Sequence, residues 1–152
     1  MDQLPYLERV QIQIEILLPF YTRIRAEIGE ERAAELLREA EDEYGLAMGN
    51  AVADAMPGTS LDKLRGLMPV MAANGALTVE PLVDNENEFS MNVRECKYAD
   101  FFQELGESRF GSMITCDFDP SLTQGVGDDL TFSRSQTIMK GGSQCDFCWK
   151  LG

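Results

Sequence analysis

The segment Leu77-Thr-Val79-Glu-Pro81-Leu-Val83-Asp84-Asn-Glu-Asn87-Glu-Phe89-Ser-Met91-Asn-Val93-Arg-Glu95 decides the fold class, because the hydrophobic period changes there from about 3.6 residues to two. Leu77, Val79 and Val83 alternate with polar residues, residues 84–87 supply a polar turn, and Phe89, Met91 and Val93 resume the alternation. This pattern predicts a β-hairpin over residues 77–95. Pro81 cannot donate to a ladder, which places the first strand at a sheet edge.

Upstream of the hairpin the pattern is helical throughout. Val10, Ile14, Leu17, Leu18, Tyr21 and Ile24 recur at helical spacing from Tyr6 to about Ile28, and Pro19 predicts a kink. Gly29 breaks this run, and an acid-rich start opens a second helix from Glu30 to about Met56, ended by Pro57-Gly58. Ser60 is the expected N-cap of a third helix from Leu61 to about Ala73, which Asn74-Gly75 closes.

Downstream, residues 97–106 are helical, with Tyr98, Phe101, Phe102 and Leu105 on or near one face, and a second short helix is expected over residues 107–115. Leu130 to Met139 and Gln144 to Leu151 are expected as two strands joined by Lys140-Gly-Gly-Ser143, a second hairpin. This order of helices and hairpins predicts one α+β domain over residues 1–152. Its helical part (1–75) packs on a small, mainly antiparallel sheet in the remainder (76–152).

Composition narrows the function classes. Thirteen basic against 26 acidic residues leave a net charge of −13, which repels phosphate backbones and anionic lipid surfaces. No nucleic acid or membrane partner is therefore expected. The longest apolar runs are too short to span a bilayer and the acidic N-terminus lacks the basic start of a signal peptide, so a cytoplasmic location is expected. The four cysteines are expected as free thiols. Apolar faces on the first two helices exceed what a small sheet covers, which makes a homodimer plausible.

The chain contains no histidine, so any acid, base or nucleophile comes from Cys, Asp, Glu, Tyr or Lys. Cys145 and Cys148 form a Cys-x-x-Cys pattern, but residues three apart on a strand point to opposite faces and cannot share a metal or form a disulfide. Cys116 opens an expected loop, Asp117-Phe-Asp119-Pro120, with two carboxylates near its sulfur. These raise a thiol pKa unless a cation such as Arg134 or Lys97 offsets them. The alternative is that Cys116 is a small buried apolar side chain, and composition by itself favours that reading. Arg134 shares an expected strand face with Leu130, Phe132, Gln136 and Ile138. It needs a carboxylate partner, either internal, such as Asp146, or on a bound ligand. No cofactor is implied and no cluster has metal-site geometry, although Asp117, Asp119 and Asp128 could hold a hard cation loosely.

Four blocks in the second half resemble the L-2-amino-thiazoline-4-carboxylic acid hydrolase family: residues 92–106 around Cys96 and Tyr98, Cys116 with Asp119, Arg134-Ser-Gln-Thr137 running to Gly141, and Cys145-Asp146-Phe147. The closing Cys-x-Phe strand is also similar, more distantly, to ligand-binding domains of the vinyl-reductase and Golgi-tethering type. The family resemblance implies hydrolysis of a small cyclic amidine bearing a carboxylate: attack at the amidine carbon opens the ring to an N-carbamoyl amino acid. On that implication Cys116 attacks while Asp119 orients it or moves protons, or water attacks with Asp119 or Asp146 as base, and the departing group takes its proton from a carboxyl with a raised pKa, from Tyr98 or from Lys97. Arg134 holds the substrate carboxylate, with Thr137, Tyr98 and Cys145 as further contacts. The competing expectation is a non-catalytic small-molecule-binding or protein-interaction module of the same fold.

Overall fold

The computed structural model describes residues 4–152; the first three residues of the expected 1–152 domain lie outside it. Helix α1 spans Tyr6–Ile28 and α2 spans Glu30–Ala55. Gly29 joins them at φ +88°, a left-handed conformation that a side chain would strain. The helical assignment of α1 runs on through Pro19. Helix α3 spans Ser60–Met71, and its N-cap is Thr59 rather than the expected Ser60. Thr59 wins because it forms a reciprocal box: its hydroxyl accepts from the Asp62 amide at 3.2 Å while the Asp62 carboxylate accepts from the Thr59 amide at 3.0 Å.

Strands β1 (Leu77–Asp84) and β2 (Glu88–Cys96) form the expected hairpin, with Asn85 Oδ1 accepting from the amides of Asn87 and Glu88 in the turn. Helices α4 (Lys97–Glu104) and α5 (Ser108–Thr115) follow, then α6 (Asp119–Val126), β3 (Leu130–Ser133) and β4 (Cys145–Leu151). The four strands order as β1-β2-β4-β3, antiparallel throughout, so Pro81 does sit on an edge strand.

Two further expectations are corrected. The strand expected over 130–139 ends at Ser133, and residues 134–144 form a long connection containing a single 3-10 turn, Ile138–Lys140. The Asp146 carboxylate draws the chain out of the sheet by accepting from the amides of Ser135 at 3.0 Å and Gln136 at 2.8 Å. The region after Cys116, expected as a loop, becomes α6, with Pro120 in its first turn, where a missing amide costs nothing.

Phe89, Met91 and Val93 of β2 and Cys145 and Trp149 of β4 face the helices and bury against Leu61, Leu64 and Leu67 of α3 and Leu122 and Val126 of α6. A second cluster joins α1, α2, α4 and α5 around Tyr21, Phe102, Phe110 and Met113. Helices α2 and α6 meet backbone to backbone. A Cβ on Gly49 would stand 2.2 Å from the Leu122 carbonyl oxygen, and one on Gly125 2.4 Å from that of Leu46. This close crossing fixes where α6, and therefore Asp119, begins. Among the described residues no helix is long and apolar enough to cross a membrane.

Candidate functional site

A cavity of about 80 Å³ lies between the helices and the inner face of the sheet. Its walls are mainly apolar, from Leu64, Leu67, Met91, Val93 and Trp149, and its polar groups are few. Cys116, Asp119, Arg134, Cys145 and Tyr98 all line it, so five of the seven expected site residues converge although they come from four separate stretches of the chain. Three of the four thiols reach this one space, because Cys96 lines it as well.

Cys116 caps the C-terminus of α5, its amide donating to the Ser112 carbonyl at 2.9 Å. Burial, then the nearby Asp119 charge, push its thiol pKa up to about 12. Asp119 is the first residue of α6. Burial raises its carboxyl to about 6 against the opposing pull of Arg134. Arg134 stands just beyond β3. It is paired with Asp119, donates to the Cys116 carbonyl at 2.9 Å, and packs over the neighbouring rings of Phe132 and Phe147, 5.4 and 5.0 Å from their centroids. Of the two alternatives, an internal carboxylate or one on a ligand, the resting structure supplies the internal one, and it is Asp119, not Asp146.

Cys145 opens β4 and its sulfur accepts from the Ile138 amide at 3.3 Å, while the Cys96 sulfur accepts from the Ala99 amide at 3.5 Å. Burial raises both thiols, Cys96 to about 11. The Tyr98 hydroxyl donates to the Met71 carbonyl at 2.9 Å, and burial raises its pKa. Its proton is committed to the backbone, which disfavours Tyr98 as an acid. Lys97, the other expected donor, is exposed, bonds the Asn74 carbonyl at 3.2 Å and does not reach the cavity.

Asp146 and Thr137 stand apart from this convergence. Asp146 points to the opposite face of the sheet, beside Ser90, Asn92 and Cys148. Burial raises its carboxyl, but bonds from the Ser135 hydroxyl and the amides of Gln136 and Ser135 outweigh that and hold it below the usual range. Thr137 is buried and its hydroxyl accepts from the Lys140 amide at 3.3 Å, capping the 3-10 turn. Both residues shape the segment that carries Arg134; neither lines the cavity. Cys148 points away from Cys145, toward Glu88 at 3.6 Å, as strand alternation required.

Among the described residues no group of three metal-ligating side chains is placed to hold an ion. The loose cation site suggested for Asp117, Asp119 and Asp128 fails because α6 separates the last two by its own length, about 12 Å at 1.5 Å per residue. Asp117 is instead paired with Lys140 at 2.8 Å. Sequence reasoning missed Thr115 and Trp149 as cavity residues. A lone tryptophan in an apolar strand reads as a packing residue, and Thr115 carries no signal beyond its place next to Cys116.

The family model described as L-2-amino-thiazoline-4-carboxylic acid hydrolase matches residues 9–149. No curated protein matches the sequence. Among solved structures, the phenol-responsive sensory domain of the transcription activator PoxR, bound to phenol, is similar with a TM-score of 0.55 and 14% identity, over 88% of this chain and 71% of that one. A trafficking protein particle complex subunit 3 from Naegleria fowleri, covalently bound to palmitic acid, aligns with a TM-score of 0.49 and 14% identity, over 93% of this chain and 96% of that one. At its level of identity the PoxR domain shares the fold alone.

Proposed function

Because the chain belongs to the L-2-amino-thiazoline-4-carboxylic acid hydrolase family, we propose that it hydrolyses a small cyclic amidine carrying a carboxylate, with Asp119 as general base for an attacking water. The observation that carries this reading is the largely shielded Arg134–Asp119 pair on the wall of an otherwise apolar cavity: one group suited to a carboxylate, one suited to a proton.

In the proposed reaction Asp119 takes a proton from water as the oxygen bonds to the carbon of the protonated amidine, giving a neutral tetrahedral intermediate. The carbon–sulfur bond then breaks. The departing sulfur takes the proton held by Asp119, the intermediate's hydroxyl proton leaves to solvent as the carbonyl forms, and an N-carbamoyl amino acid with a free thiol results. Water is favoured over Cys116 as the nucleophile. With the thiol near 12 and Asp119 near 6, moving the thiol proton to that carboxylate is uphill by roughly 8 kcal/mol at 1.36 kcal/mol per unit.

The cavity of about 80 Å³ is smaller than the roughly 150 Å³ apolar cavity known to take benzene, so a ring with a carboxylate needs more room than the resting state provides. Turning Arg134 from Asp119 to the substrate carboxylate creates that room and releases the base in the same movement. The second reading, a binding module without catalysis, is favoured by the apolar lining and by an arginine already satisfied internally.

Incubating the purified protein with 2-amino-thiazoline-4-carboxylate and following new thiol separates the two. Turnover that Asp119→Asn abolishes and Cys116→Ala largely spares supports the water route. Saturable binding without thiol release supports the binding module, and full turnover by a folded Asp119→Asn protein overturns the base assignment.

A further inference from the structure

The outer face of α1 carries Ile12, Ile16 and Phe20, 54%, 78% and 62% exposed, at successive four-residue steps. The inner face already supplies Tyr6, Val10, Ile14 and Tyr21 to the core, so this second stripe is not needed for folding. A contiguous exposed apolar stripe on a soluble helix marks an interaction surface. We infer that a second copy of this chain occupies it, packing its own α1 antiparallel across the stripe.

The charges on the same face select that occupant and its register. Arg9 and Glu27 are eighteen positions apart, about five turns and about 27 Å along the axis, and so project from one side of α1 together with Ile16 and Phe20. Both pairs are centred on position 18. A two-fold axis there sets Ile16 against the partner's Phe20 twice in the middle and Arg9 against the partner's Glu27 once at each end. Such self-complementarity is what an isologous contact requires. Arg9 lies over the Tyr6 ring, 5.7 Å from its centroid, and makes no ion pair among the described residues. Glu27 holds only an exposed contact to Arg23, one turn earlier on the same helix.

The same charges argue against a membrane. Helix α1 carries Glu8, Glu15 and Glu27 against Arg9, Arg23 and Arg25, a balance without the basic excess that anionic lipid surfaces demand. The net charge of −13 repels a second copy at long range, but at physiological salt this is screened beyond about 8 Å and does not oppose a contact already formed. An interface confined to one helix pair is at the small end of specific contacts, so dimerisation is concentration-dependent and in the micromolar class.

The test is sedimentation velocity of the whole chain at physiological salt across the micromolar range, with circular dichroism confirming that each variant is folded. The wild-type protein forms a dimer, and Ile16→Glu abolishes it. Arg9→Glu alone and Glu27→Arg alone each weaken it at least about tenfold, because each puts like charges face to face at both ends. The doubly exchanged protein recovers wild-type affinity. A wild-type monomer throughout the range, a dimer indifferent to these changes, or a double variant as weak as the single ones overturns the inference.

Discussion

Arg134 and Asp119 are ion-paired at the cavity wall although they come from separate elements: one stands just past the end of an edge strand, the other opens a helix. The pair is shielded, with the side chains 10% and 18% exposed, so each group sets the electrostatic state of the other. The cation holds down a carboxyl that burial lifts, and the carboxylate neutralises a cation packed over two aromatic rings.

A base near 6 gives a defined pH profile. Asp119 works as a base only when ionised, so kcat/KM falls tenfold per unit as pH drops below about 6 and is flat above it until another group titrates. Initial rates of thiol release between pH 4.5 and 8 read this directly. A profile flat down to pH 4.5 excludes Asp119.

Replacing Arg134 by methionine removes both influences that lower the Asp119 pKa, its charge and its hydrogen bond, and leaves burial and Asp117, which raise it. The acid limb of Arg134→Met therefore moves to higher pH. The loss of the carboxylate contact lowers kcat/KM by about a hundredfold. A limb that does not move shows that the pair is uncoupled in solution.

Gly49→Ala attacks the crossing that positions α6. Its methyl would fall 2.2 Å from backbone rather than against a flexible side chain, so the two helices must separate. The expected cost is about 1 to 3 kcal/mol in urea unfolding, with activity falling further than stability because Asp119 moves with α6. An unchanged midpoint would mean that the crossing is looser than described.

Glu41 lies against Tyr6, Gln13 and Tyr44 between α1 and α2, where burial and then the Asp42 charge raise its carboxyl to about 7. A raised carboxyl penalises the ionised fold. The penalty is absent below about pH 4.5, grows as pH rises, and is complete above about 7. Glu41→Gln is thus more stable than wild type at pH 8 by about 1 to 3 kcal/mol and equal to it near pH 4. Melting at the two pH values checks this, and equal gains at both would point to a packing effect instead.

Much of the architecture is legible in local pattern. The switch from helical to alternating periodicity at Leu77 marks the first hairpin, and Pro81 marks its outer strand as an edge. The second hairpin was misread because Leu130, Phe132, Arg134, Gln136 and Ile138 continue a two-residue rhythm past the point where the chain leaves the sheet. The competing signal is a carboxylate ten to eleven residues on, Asp146, whose bonds to the amides of Ser135 and Gln136 leave no trace in hydrophobic periodicity. Helix α6 was missed for a related reason: it is held against glycines of α2, some 75 positions earlier, and that close crossing leaves no mark in the local pattern.

The sequence by itself determined the class of fold, the absence of histidine chemistry, and the separation of Cys145 from Cys148, since each depends only on composition or on strand and helix periodicity. Tertiary structure alone decided which carboxylate meets Arg134, that Asp146 braces a loop on the far face, and that Cys116 is buried enough to hold its proton. Those outcomes depend on burial and on distances between segments remote in the chain. Both arise when α6 and the 134–144 connection pack around the sheet.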